Sequence, residues 1–75
     1  MAEISYGEAA VGLSFNPSAD SEVDSIKKAF AELIDKMDDI RLSAGRGERA
    51  RLASVAITEM QTAQMWAVKT VTWRD

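Results

Sequence analysis

Phe15-Asn16-Pro17-Ser18 sets an aromatic ring, a carboxamide and a hydroxyl side by side where a proline punctuates the chain. A nucleotide can use all three, since a base stacks on the ring while the polar groups take base edges or phosphate. The same four residues also fit a hydrophobic staple followed by a capped helix start. Lys27 and Lys28 follow within a dozen residues and offer two ammonium groups to an anion, or simply face water. Arg41, Arg46, Arg49 and Arg51 fall within eleven residues around Gly45 and Gly47. Guanidinium groups beside a glycine turn that opens a helix favour phosphate. The alternative is a solvated turn whose arginines pair with Asp38, Asp39 and Glu48. Thr58, Gln61, Thr62 and Gln64 can hydrogen-bond a ligand held between protomers, or form the polar side of a helix. Asp35, Asp38 and Asp39 read as solvated carboxylates at the end of a surface helix rather than as metal ligands or an acid–base pair.

Composition narrows the chemistry further. The 75 residues contain no cysteine and no histidine, which removes the thiolate nucleophile, the imidazole base and the soft-metal site. Binding without catalysis, with no metal and no cofactor, is the expectation. A net charge of −3 and a pI near 4.8 argue against DNA or RNA as the main partner, because that contact needs a broad cationic surface. No apolar run approaches the ~20 residues of a membrane span, and the first residues lack a basic leader, so no membrane partner and a cytoplasmic location are expected.

The elements that must position these groups follow from punctuation and periodicity. Pro17 and the Gly45-Arg46-Gly47 triplet divide one domain, 1–75, into an N-terminal arm or helical turn (1–18), a first helix (19–42), a turn (43–47) and a second helix (48–73). Val23, Ile26, Phe30, Leu33, Met37 and Ile40 recur at alternating steps of three and four, with Ile34 broadening the stripe. Ser18, Asp20 or Ser21 can cap that helix, and Glu22 and Asp24 suit its first turn. On the second helix Ala53, Ala56, Ile57, Met60, Ala63, Ala67 and Val71 share one face and can meet the first helix in an antiparallel hairpin. Leu52, Val55, Trp66 and Trp73 form a second apolar line that a lone hairpin leaves wet. That line and the short chain together predict a homo-oligomer, because a core of this size supplies only ~3–5 kcal/mol and no disulfide or zinc can supplement it.

The segments Leu13-Ser-Phe-Asn-Pro-Ser18, Val23-Asp-Ser-Ile-Lys-Lys-Ala29 and Arg51 to Lys69, the last with Thr58, Gln61 and Met65-Trp66-Ala67, resemble the phage anti-CBASS sponge family. The resemblance implies an all-α helical hairpin that assembles into a compact homohexamer. It implies sequestration of cyclic dinucleotides such as cyclic GMP-AMP, with cyclic trinucleotides as a further class, in the host cytoplasm and without cleavage, so that the CBASS effector stays inactive. A family lysine that contacts the dinucleotide matches Lys27, and Phe15 is the nearest aromatic to a tyrosine that stacks on the base. The family's trinucleotide arginine falls at Ile57, with Arg51 one or two turns away as its substitute. Residue types and resemblance together give an expected binding set of Phe15, Asn16, Ser18, Lys27, Lys28, Arg51 and Thr58. The alternative is an oligomeric helical interaction or structural accessory module with no small-molecule ligand.

Overall fold

The computed structural model describes residues 3–16 and 20–75 and consists there of three helices, α1 (Tyr6–Val11), α2 (Ser21–Ala44) and α3 (Glu48–Thr72). The first gives the N-terminal arm a short helix, the helical-turn alternative of the two, which its glycines do not break. Ser5 Oγ accepts from the Glu8 N–H at 3.1 Å while Glu8 Oε1 accepts from the Ser5 N–H at 2.8 Å. This reciprocal box satisfies two donors at the helix start. At the far end Gly12 turns left-handed (φ 64°), its N–H donates to the Ala9 carbonyl, and the Leu13 N–H reaches back to Glu8 O at 3.0 Å. Glycine makes that turn without a steric cost, so it terminates the helix instead of disrupting it.

Asp20 caps α2 by accepting from the Glu22 N–H at 2.8 Å, and the helix begins and ends two residues later than its periodicity predicts. Ser18, a competing cap candidate, lies outside the described residues, as does Pro17. Gly45 and Gly47 both take positive φ, 74° and 102°, and fold the chain back into α3, which ends one residue earlier than expected.

The helices bury their apolar residues along seams rather than in a thick interior, since the molecule measures 44 × 34 × 12 Å. Val11, Ala31, Ile34 and Ile57 form the central cluster, with Leu13, Phe30, Met37 and Met60 packed around it. α2 has α1 on one side and α3 on the other, and this moves its buried line to Val23, Lys27, Ala31 and Ile34. Leu33, expected within the stripe, is 50% exposed. On α3 the buried residues are Ala53, Ile57 and Gln64, and Ala63 turns outward. Leu52, Val55, Trp66 and Trp73 are exposed together, as the second apolar line requires.

α1 lies backbone to backbone on α2. A Cβ placed on Gly7 would stand 2.1 Å from the Ala31 carbonyl oxygen, so no other residue fits without moving the helix. Arg41 of α2 sets its guanidinium 5.1 Å from the centre of the Tyr6 ring. Ile34 is 0% exposed and touches both seams. Ile34→Ala should therefore lower stability by about 2–5 kcal/mol, the cost of a fully buried cavity. Thermal unfolding followed by circular dichroism measures it, and a loss within ~0.5 kcal/mol would contradict this packing.

Candidate functional site

The residues between α1 and α2 fold around one buried cation. Lys27 is 6% exposed, and its ammonium donates to the Gly12 carbonyl at 3.0 Å and to the Phe15 carbonyl. A buried ammonium needs such acceptors, and the C-terminal carbonyls of α1, which carry partial negative charge, are suited to supply them. The Phe15 N–H donates to Gly12 O at 2.9 Å, closing the loop on itself. Phe15's own ring stands 72% exposed with its centre 5.5 Å from Lys27 Nζ. An open aromatic face beside a fixed positive charge is what a stacked base with a nearby phosphate would require.

This geometry decides between the alternatives that the sequence leaves open at two positions. Phe15 stays 72% exposed, whereas a hydrophobic staple would be covered. Lys27 is not a solvated surface lysine, and its burial gives it a structural duty that the sequence did not reveal. Asn16 brackets the entry to α2, its Nδ2 donating to Asp20 O at 2.9 Å and its Oδ1 accepting from the Asp20 N–H at 3.3 Å. Its amide is thus engaged with the backbone of Asp20, the residue that caps α2.

The remaining candidates stand apart from that loop. Lys28 is exposed and pairs with Asp24 at 3.0 Å. Arg51 forks onto Glu48 at 2.8 and 2.6 Å, and this hydrogen bonding holds the Glu48 carboxyl below its ordinary range and the guanidinium above its own. Arg41 turns to the helix seam and meets Asp38 at 2.5 Å and Ser54 at 3.4 Å. Hydrogen bonding to Tyr6 first, and to Asp38 next, raises its already high basicity. Two of the four arginines thus pair within the protein, on Asp38 and Glu48. Arg46 and Arg49 are exposed, and Arg49 rims a groove of about 470 Å³ lined by Met37, Ile40, Leu52 and Ala53. Thr58 is exposed on α3, its carbonyl accepting from the Thr62 hydroxyl. Ile57 is 2% exposed in the core, so it presents nothing to a ligand.

The sequence reading missed two arrangements. The capping box of α1 was overlooked, although Ser5 and Glu8 carry its spacing. Lys69 was not singled out, yet its ammonium lies between two tryptophans, 5.3 Å from the Trp66 ring centre and 5.8 Å from that of Trp73. Spacings of three and four around Lys69 were the available signal.

A protein-family model, the Acb2/Tad1 hairpin domain, matches residues 8–72. No curated protein and no solved structure matches the chain.

The buried ammonium generates a direct test. Lys27→Met keeps the aliphatic stem but leaves the Gly12 and Phe15 carbonyls without their donor. It should cost about 1–3 kcal/mol in a denaturant melt, whereas a solvated lysine would give a change near zero.

Proposed function

The chain belongs to the Acb2/Tad1 hairpin family, and on that premise we propose that it captures cyclic dinucleotides, cyclic GMP-AMP among them, and holds them without cleaving them. Proteins of this family act against CBASS signalling as sponge-type binders of cyclic nucleotides rather than as enzymes. In this reading the protein is a phage counter-defence factor that works in the host cytoplasm during infection and withholds the messenger from its effector. Among the described residues no helix is long and apolar enough to cross a membrane.

The observation that carries the proposal is the exposed Phe15 ring beside the fixed Lys27 ammonium, inside the matched segment. A cyclic dinucleotide has two bases and two phosphates. Two copies of the protein related by a two-fold axis offer each half the same ring and the same lysine. On the sequence resemblance Asn16 and Ser18 are proposed as further ligand contacts, with Lys28 supplying charge nearby. Capture in this way needs no group that activates water, so the ligand should leave as it entered.

The thinness of the molecule and the apolar line Leu52, Val55, Trp66 and Trp73 support assembly. We infer a homohexamer in which those side chains are covered. Cyclic trinucleotides are the secondary ligand class: Ile57 stands in the core where the family's arginine falls, Arg51, paired with Glu48, is the proposed substitute one or two turns away on α3, and Thr58 follows Ile57 in sequence.

Three measurements test the proposal. Purified protein incubated with excess cyclic GMP-AMP, freed of unbound ligand and then heat-denatured, should release intact cyclic GMP-AMP in a fixed ratio to protein. Linear product accumulating with time would contradict it. Phe15→Ala should weaken calorimetric binding by about 1–3 kcal/mol, the value of base stacking on an aromatic side chain. Native mass spectrometry of the same samples should give a hexamer, and an 8.2 kDa monomer would overturn the assembly.

A further inference from the structure

α2 grips α1 by both of its ends, with opposite charges. Asp35 Oδ1 accepts from the Gly7 N–H at 2.6 Å, 28 residues away in sequence, at the N-terminal end of α1. Lys27 Nζ donates to Gly12 O at its C-terminal end. A helix leaves unpaired N–H groups and partial positive charge at its start, and unpaired carbonyls and partial negative charge at its finish. The carboxylate and the ammonium match that polarity. They stand eight residues apart on α2, a rise of about 12 Å.

Six residues of helix do not hold together alone, so the two grips and the Gly7–Ala31 contact decide where α1 sits. Its last turn delivers Gly12 to Phe15, the loop whose carbonyls wrap Lys27 and whose ring faces solvent. Of the groups around Asp35, Glu8 is committed to the capping box and Lys28 to Asp24. Beside it lies a cavity of about 170 Å³ bounded by Glu8, Lys28, Ala31 and Glu32, room into which α1 can shift once the carboxylate is gone.

We propose that Asp35 is a positioning residue for the ligand site. By pinning the Gly7 N–H it fixes the register of α1 on α2, and through α1 it sets the Phe15 ring over Lys27, without touching the ligand itself. This rests on the reading that Phe15 and Lys27 receive a cyclic dinucleotide.

The test uses the full chain, titrated with cyclic GMP-AMP, alongside amide hydrogen exchange without ligand. Asp35→Ala should raise Kd about tenfold, the scale of one charge-assisted hydrogen bond. Asp35→Asn should recover most of that loss, because the amide oxygen still accepts from Gly7. In a Phe15→Ala background Asp35→Ala should add nothing, since its effect runs through the ring. Exchange should quicken across residues 7–15 and stay unchanged in α2 and α3. Wild-type affinity in Asp35→Ala, or penalties that add in full in the double variant, would overturn the proposal. Should the wild type bind no cyclic GMP-AMP, the ligand reading falls, and exchange still decides the grip: unaltered protection over 7–15 in Asp35→Ala overturns it.

Discussion

The buried ammonium of Lys27 organises the N-terminal half of the molecule. An ammonium taken out of water is costly unless its N–H groups find acceptors, and α2 offers none on that face, since its own carbonyls are spent within the helix. The acceptors come from the chain just before it, the carbonyls of Gly12 and Phe15. Satisfying one cation therefore closes the loop after α1, docks the negative end of that helix, and leaves the Phe15 ring outside. The same contact makes Lys27 stiff. A charge that must recognise a phosphate loses less freedom on binding when its position is already fixed.

Thinness is the second constraint. Three helices joined along seams, 12 Å through the shortest dimension, bury few residues on all sides, and the apolar side chains of α3 that face away from α2 find no cover within one copy. Trp66 and Trp73, with Lys69 between them, add aromatic surface that is costly to leave in water. In the proposed assembly neighbouring copies would cover that surface and would duplicate the Phe15–Lys27 pair for a ligand that has two bases and two phosphates.

What was legible in the sequence was the periodic part. α2 and α3 announced themselves through apolar spacing, glycine at the turn and acidic residues at the starts, and the exposed line on α3 followed from counting faces. The stripe on α2 was displaced because periodicity assumes one neighbour, and α2 has two; Lys27 and Ala31 are buried by α1, which the glycines of residues 7–12 concealed. Those glycines signalled a break when read alone. In the fold one is a close approach and the other a left-handed cap, and only the Ser5–Glu8 spacing hinted at a helix between them. Lys27 was legible as a ligand candidate and illegible as a core residue, since its acceptors are backbone carbonyls that carry no sequence signature. Asp35 was legible only as a surface carboxylate for the same reason: its partner is the N–H of a glycine.

The proposed capture requires a base and a phosphate of one cyclic dinucleotide to meet at Phe15 and Lys27. A crystal structure of the protein with cyclic GMP-AMP tests it most directly. A base should stack on the Phe15 ring with a phosphate oxygen within hydrogen-bond reach of Lys27 Nζ, repeated by a second copy across a two-fold axis. Ligand bound elsewhere, against Trp66 and Lys69 for instance, with Phe15 and Lys27 unoccupied, would contradict it.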